Sequence, residues 1–177
     1  MTRMPHPATA EYADYYHRYV SLVPEGDVVE HLVRQGDATH ALLVGIGEER
    51  ARFRYAPGKW SIKQLVGHIS DGERLFGYRA LAFARNDPGA LPSMEQDDWM
   101  AAADFDARGF ASLVEDYRRV RAATVSLFQG FTPEVGLRTG IASGNRFTVR
   151  ALMWIVAGHE LHHLAVLRER YAVAAPA

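Results

Sequence analysis

Residues 148–171 read TVRALMWIVAGHELHHLAVLRERY, and the histidines in this stretch constrain how the rest of the chain folds. Threonine is a common N-cap residue, and the apolar residues after Thr148 recur at the spacing of one helical face. The stretch therefore predicts a helix from Thr148 to about Tyr171. His159 and His163 are four residues apart, so their imidazoles project from the same face, one turn apart. That face is the apolar one, which directs both histidines towards the interior.

Two neutral imidazoles in an apolar interior each need a hydrogen-bond partner, and a shared divalent metal would satisfy both. A third ligand is expected from another helix. His68 is the candidate, because it lies on the apolar face of a helix that the sequence predicts from Ser61 to about Ala84. Packed helices lie about 8–10 Å apart, a gap that facing imidazoles and one metal can span. We therefore predict that His68, His159 and His163 share one metal ion.

The depth of these histidines along their helices constrains the topology. His68 lies roughly 10 Å from the start of its helix, and His163 and His159 lie roughly 12 and 18 Å from the end of theirs. The three side chains meet only if the two helices are antiparallel. In a bundle of four helices, simple up-down-up-down order makes these two helices parallel. Up-down-down-up order makes them antiparallel, and it needs a long crossover between helices two and three. Residues 85–104 contain several turn-forming residues and are long enough for that crossover.

Two further amphipathic helices complete a predicted all-α four-helix bundle. The first is expected to start after an N-cap at Asp27 and to continue to about Arg52. The third is expected from about Asp106 to Phe128, where apolar residues follow a regular helical spacing. Between the third and fourth helices, residues 138–147 are compatible with either a small hairpin or a loop.

The remaining chain is expected to belong to the same domain, which the sequence predicts over residues 1–177. Residues 1–27 form an N-terminal extension, in which tyrosines at helical spacing suggest a short helix that packs on the bundle. The last six residues have the composition of a frayed tail.

Composition narrows the classes of function. The formal net charge of −1 removes the electrostatic argument for a nucleic acid or an anionic membrane as partner. The chain has no cysteine, which excludes disulfides, thiolate ligands and a cysteine nucleophile, and leaves eight histidines as the notable neutral-pH ligands. No segment has the apolar core of a signal peptide or the length of a membrane helix. These features predict a cytoplasmic protein.

Four more side chains are candidates for positions around the metal or the pocket. Trp60 precedes the second helix and can flank the pocket, although a packing role alone is an equal alternative. Asp71 follows His68 by one turn and can orient an imidazole, although a solvated charge is an equal alternative. His162 falls at the edge of the apolar face. His40 lies on the inner face of the first helix, where it either contacts a ligand or has a structural role.

The segment from His159 to His163 also matches HExxH, the zinc metalloprotease motif in which the glutamate is the general base. This interpretation is disfavoured, because such proteases take a third ligand further along the chain and no histidine follows His163. Glu160 also lies about 80° away from the centre of the apolar face. It is retained as a weak catalytic candidate that reaches an activated water or holds a neighbouring loop.

The chain resembles the DinB/YfiT-like superfamily from about Val29 to Tyr171. The resemblance is most specific in four short motifs, namely GKWSI at 58–62, GHI at 67–69, TVRAL at 148–152 and GHELHH at 158–163, with RTG at 138–140 as a weaker match. It implies an up-down-down-up bundle and a divalent metal, nickel or zinc, on His68, His159 and His163. It also implies a homodimer, and an activity among the hydrolases or among the transferases that use low-molecular-weight thiols.

Three histidine ligands leave coordination positions open, which is typical of catalytic rather than sealed metal sites. One possible reaction is hydrolysis, with a metal that lowers the pKa of water to about 7. The other is transfer of a thiol to a small electrophile, with the thiol deprotonated in the field of the metal. Because the chain has no cysteine, that thiol must be a separate small molecule. The resemblance favours thiol transfer, with hydrolysis or a non-catalytic metal-binding stress-response module as alternatives.

Overall fold

The computed structural model describes residues 4–173, and its main elements are helices. Four long helices form a bundle: α2 (Val28–Val44), α3 (Ile62–Ala84), α5 (Phe110–Gln129) and α7 (Val149–Tyr171). The shorter elements are α1 (His17–Val20), α4 (Gln96–Ala102), α6 (Pro133–Gly136), and the strands β1 (Thr139–Ala142) and β2 (Asn145–Thr148). The predicted four-helix bundle is confirmed.

Contacts between α3 and α7 show that these helices are antiparallel. The Tyr171 hydroxyl, at the end of α7, donates a hydrogen bond to the Trp60 carbonyl just before α3, at 2.8 Å. Further along α3, the Phe76 ring lies 5.7 Å from the ring of His159, which is earlier in α7. Residue numbers therefore rise along one helix as they fall along the other.

The helices α3 and α5 are parallel, which gives the bundle its up-down-down-up order. Near their starts, Ser61 Oγ donates to Asp106 Oδ1 at 2.5 Å. Further along both, Arg121 Nη2 donates to Glu73 Oε2 at 2.7 Å. Because both helices run the same way, the connection between them must return along the bundle, and α4 lies within this long crossover.

The starts of α3 and α7 agree with the caps expected from the sequence. Ser61 Oγ accepts from the Gln64 backbone N–H at 3.1 Å, and Gln64 Oε1 accepts from the Ser61 N–H at 3.0 Å. Thr148 Oγ1 likewise accepts from the Ala151 N–H at 3.1 Å. These bonds satisfy N–H groups that have no partner within the helix, so both helices begin where predicted.

The predicted end of the first helix is wrong. The helix α2 stops at Val44, and Arg50–Arg52 form a separate short 3₁₀ turn. Gly45 and Gly47 follow Val44, and glycine loses more backbone entropy in a helix than other residues do. The helical spacing of apolar residues in this segment places Val33 and Val44 on the inner face. They are nevertheless 41% and 63% exposed, so the buried face of α2 is narrower than its apolar spacing indicates.

The third predicted helix begins later than expected, at Phe110 instead of Asp106. The Asp106 carboxylate is engaged elsewhere, since it accepts hydrogen bonds from Ser61 Oγ and, at 2.5 Å, from Arg54 Nη2. These bonds hold residue 106 against the start of α3. The backbone therefore enters the helix only after Gly109, its N-cap.

The N-terminal extension is part of the core. Met4, Tyr12 and Tyr19 are buried in the same apolar cluster as α7. The helix expected from the tyrosine spacing is present only as α1, after two short 3₁₀ turns. A β-carbon at Gly158 would lie 2.0 Å from the Tyr19 carbonyl oxygen, so only glycine lets the α1 backbone pack this closely on α7.

Residues 138–147 contain the hairpin that the sequence left open. The strands β1 and β2 pair antiparallel, with Thr139 opposite Thr148. Ser143 and Gly144 form the turn with positive φ angles of 50° and 71°, as a type I′ turn requires. Leu91 of the crossover donates its N–H to the Ile141 carbonyl of β1 and accepts a hydrogen bond from the Ser143 N–H in the turn. The hairpin thus fixes the crossover near the bundle.

The helix α7 is the most enclosed part of the bundle. Residues 151–160 are buried without interruption, because α7 contacts α1, α2 and α3 at once. Among residues 4–173, neither α7 nor any other helix is long and apolar enough to cross a membrane. The frayed tail expected after Tyr171 falls largely outside the described residues, which end at Val173.

The close contact at Gly158 predicts an opposite outcome for two glycine-to-alanine changes. Gly158→Ala forces α1 away from α7 and should lower the free energy of unfolding by about 1–3 kcal/mol. Gly77→Ala, in the middle of α3 where a β-carbon meets no atom within 4 Å, should be neutral or stabilise by about 0.5–1 kcal/mol. Denaturant unfolding measures both, and equal losses would contradict the packing argument.

Candidate metal centre

The three predicted ligands lie together between α3 and α7. Nε2 of His159 is 3.2 Å from Nε2 of His68 and 3.1 Å from Nε2 of His163. All three side chains are buried, and their ligand atoms lie within 4.8 Å of one another. His159 is the central member, with one neighbour on each helix.

The spacing of these nitrogens fits a tetrahedral metal. Metal–nitrogen bonds of 2.0–2.1 Å at tetrahedral angles place two ligand atoms about 3.3 Å apart. The imidazoles cannot satisfy one another, because a neutral ring nitrogen offers either one proton or one lone pair, whereas His159 Nε2 has two nitrogen neighbours. A cation between them would accept a lone pair from each ring, so the donor set fits a divalent metal.

Burial keeps the three imidazoles in the neutral form that binds metals. It lowers the pKa of His68 to about 4, with a further decrease from the nearby His162. Burial also lowers the pKa of His159 and of His163 well below the usual range, and the neighbouring histidines add to this effect. Near neutral pH all three Nε2 atoms therefore have a lone pair available without the loss of a proton.

Gly72 makes room for the central histidine, a role that was not assigned from the sequence. A β-carbon at position 72 would lie 2.8 Å from Cε1 of His159, so a larger residue would displace the ring. The signal was present in the sequence as a glycine four residues after His68, on the same helical face.

Of the four peripheral candidates, Trp60 and His162 lie next to the three histidines. The ring of Trp60 is 4.9 Å from the ring of His68. The His162 ring packs edge-on against His163 at 5.0 Å and against Tyr19 at 5.4 Å. Both side chains therefore form walls of the site, and the group of nitrogens that could hold a metal among the described residues contains neither of them.

The structure does not bring Asp71 or His40 to the histidines. Asp71 faces α5, where its carboxylate accepts a hydrogen bond from Arg74 at 3.2 Å, and Arg74 also bonds to Asp116. His40 lines a separate cavity between α2 and α5, together with Val114. For His40 the reason is topological, since α2 packs mainly on α5 and α7.

Glu160 also points away from the histidines, into a buried network of polar side chains. Its Oε1 accepts a hydrogen bond from the Tyr117 hydroxyl at 2.6 Å, and its Oε2 accepts one from Gln35 at 2.8 Å. It also forms an ion pair with Arg121, which bonds to both oxygens of Glu73. Because its oxygens are already engaged, the HExxH protease interpretation has no general base at the site.

This network has an electrostatic consequence for the site. It contains two buried carboxylates, Glu73 and Glu160, and one guanidinium, Arg121. Glu73 and Glu160 directly follow Gly72 and His159 in the sequence, so the network lies next to the three histidines. With two carboxylates and one guanidinium, the network has one negative charge in excess. In a buried, low-dielectric region such a charge favours a nearby cation. Sequence patterning missed the network because its members come from four helices.

Two cavities reach the histidines. The first, called the His159 cavity, has a volume of about 250 Å³ and is lined by residues that include His68, His159, Tyr19 and Phe76. The second, called the His163 cavity, has a volume of about 380 Å³ and is lined by residues that include His163, Trp60 and Tyr171. Gln96 of the crossover borders both. The site is therefore accessible to small molecules.

The fold and the site together define a helical bundle with a three-histidine candidate metal centre, and comparison with known proteins identifies the family. The chain belongs to the DinB superfamily, whose profile matches residues 31–167. A curated protein of Halalkalibacterium halodurans, named "Putative metal-dependent hydrolase", is 25% identical over 154 residues, which cover 84% of this chain and 89% of that protein. A protein of the same name from Oceanobacillus iheyensis is 28% identical over 144 residues, or 76% of each chain.

Solved structures show the same fold. YfiT from Bacillus subtilis, described as "a probable metal-dependent hydrolase with an unusual four-helix bundle topology", superposes with a TM-score of 0.70 at 14% identity, over 95% of this chain and 94% of YfiT. A DinB-like protein from Bacillus cereus superposes with a TM-score of 0.61 at 15% identity, over 96% of this chain and 99% of that one. These likenesses support the up-down-down-up arrangement.

The geometry predicts which histidines hold a metal. The wild-type chain should bind about one divalent ion, and His68→Ala or His163→Ala should weaken binding by more than the 10–100-fold that loss of an outer contact costs. His40→Ala is the control, because His40 lines the separate cavity between α2 and α5, and this variant should bind as wild type does. Elemental analysis with a competing chelator measures this, and unchanged binding in both ligand variants would rule out the site.

Proposed function

We propose that this chain is a metal-dependent enzyme that transfers a low-molecular-weight thiol to small electrophiles. The observation that carries the proposal is the convergence of three buried imidazole nitrogens at a point that two cavities reach. A sealed centre would instead favour the non-catalytic metal-binding module, and open access favours an enzyme.

His68, His159 and His163 would hold the metal through their Nε2 atoms. When bound, a divalent ion on three imidazoles acts as a Lewis acid and makes water or a thiol a stronger nucleophile near neutral pH. The protein contributes the fixed directions of the three rings. Gly72 leaves room for the His159 ring, and the Trp60 ring packs against His68 at 4.9 Å.

A thiolate nucleophile must come from outside the chain. The sequence contains no cysteine, and the one carboxylate adjacent to a ligand, Glu160, is engaged in the buried network. The aromatic rings of Tyr19 and Phe76 lie 5.4 and 5.7 Å from the His159 ring and give the His159 cavity an apolar wall. Such a surface suits an uncharged electrophilic carbon.

The two cavities favour a reaction of two substrates. The His159 cavity and the His163 cavity meet the cluster at different histidines, so two small molecules can approach the same point at once. Holding both reactants close together is a large part of the rate gain in such transfers. A thiol in one cavity and an electrophile in the other would use this arrangement.

Hydrolysis is the second candidate, and the names of the relatives from Halalkalibacterium halodurans and Oceanobacillus iheyensis favour it. It needs only one cavity for the substrate, with water as the nucleophile. Imidazole donors suit both nickel and zinc, and we propose one of these as the metal. A cytoplasmic homodimer remains part of the proposal, and sedimentation of the purified protein tests the dimer.

Turnover assays distinguish the two reactions. Metal-loaded protein should consume model electrophiles only when a low-molecular-weight thiol is present, and His68→Ala should lower the rate on the order of 100-fold or more. His40→Ala, which leaves the three ligands and the walls of the site intact, should retain most of the rate. Turnover of esters or amides without thiol would replace the proposal with hydrolysis. No turnover by fully loaded protein would favour the non-catalytic module.

A further inference from the structure

Arg79 is a buried cation without a carboxylate partner. Its side chain is 2% exposed, and Nη2 donates to the Pro92 carbonyl at 2.8 Å and to Ser143 Oγ at 3.0 Å. Nε is buried and has no hydrogen-bond partner among residues 4–173. Both hydrogen-bond partners are neutral, and the guanidinium carbon lies 5.9 Å from the centre of the Phe76 ring, which is neutral too. No carboxylate within this part of the chain forms an ion pair with Arg79.

The other buried cations of the described chain show that this is exceptional. Lys63 is paired with Glu48, and Arg121 is paired with Glu73 and Glu160. Burying a charge without a partner costs several kcal/mol, and proteins generally avoid it. The difference indicates that Arg79 is matched to a charge that the polypeptide does not supply.

The position of Arg79 links it to the candidate metal centre. It lines the His159 cavity together with His68 and His159. On α3 it lies eleven residues after His68, which is about three turns and nearly the same helical face. Long side chains on a helix point back towards its N-terminus, which directs the guanidinium towards the histidines.

Other groups around Arg79 are consistent with an anion. Tyr16 lines the same cavity, and burial raises the pKa of its hydroxyl, which therefore remains a hydrogen-bond donor. Glu95 is the one carboxylate lining the cavity, and it is exposed and forms no ion pair with Arg79. The phenol and the guanidinium thus give the inner end of the cavity a donor-rich, positive character.

We propose that Arg79 binds an anionic group, such as a carboxylate, of the small molecule that reacts at the three histidines. The inference deepens the proposed function, because it names the substrate class of the same site. A guanidinium recognises planar oxyanions with two parallel hydrogen bonds, and it has free N–H groups for this purpose. A ligand that reaches both Arg79 and the histidines spans on the order of 10 Å.

Hexanoate and hexanamide are suitable probes, since they have the same length and differ in charge. Calorimetric titration of metal-loaded and of metal-free protein should show that hexanoate binds roughly 10-fold or more tightly than hexanamide in both forms. Arg79→Gln should abolish this preference. A preference that persists in Arg79→Gln, or that is absent from wild type, would overturn the proposal.

Two further variants separate anion binding from a structural role. Arg138→Gln is the matched control, because Arg138 also donates to a backbone carbonyl, that of Ala84, but does not line the cavity. It should keep the full preference for hexanoate. Arg79→Lys keeps the positive charge but loses the paired N–H donors of the guanidinium, and it should retain part of the preference for hexanoate. It serves as the test if Arg79→Gln does not fold. Equal losses in the Arg79 and Arg138 variants would indicate a structural effect and contradict the proposal.

The same titrations distinguish failure of this inference from failure of the proposed function. Arg79-dependent binding of hexanoate to metal-free protein would stand even if no thiol transfer were found. Conversely, thiol transfer with no change in hexanoate affinity in Arg79→Gln would keep the proposed function and remove the anion site.

Discussion

The structure depends on the meeting of three buried imidazole nitrogens between two antiparallel helices. Nε2 of His159 lies within 3.2 Å of the Nε2 atoms of His68 and His163. This spacing fits three nitrogens that donate their lone pairs to one cation. To bring His68 to the same depth as the other two, α3 and α7 must run in opposite directions. In the structure α3 and α5 are parallel, and the long crossover connects them.

Charge is distributed around this point in two different ways. On one side, Arg121 is paired with two buried carboxylates, and the excess carboxylate favours a cation in the next layer. On the other side, Arg79 is buried with neutral partners in the cavity that leads to His159. The site is thus arranged for a metal near the network and for an anionic ligand group at the opposite end of the cavity.

Local and periodic signals were enough to predict most of the bundle. The caps at Ser61 and Thr148 and the spacing of the histidines involve residues that are close in sequence or on one helical face. The direction of Glu160 was not predictable in the same way, because its partners come from other helices. The missing carboxylate partner of Arg79 is likewise a property of the assembled fold. The end of α2 did not follow from apolar spacing, because Gly45 has a low helix propensity and the helix stops at Val44.

X-ray absorption at the metal edge of zinc-loaded protein tests the central claim most directly. Three imidazole nitrogens at about 2.0–2.1 Å, with the remaining position filled by a light atom from a small molecule, are the expected first shell. A shell with one imidazole or none would show that the three histidines do not bind the metal together. That result would contradict both the metal site and the constraint that it places on the directions of α3 and α7.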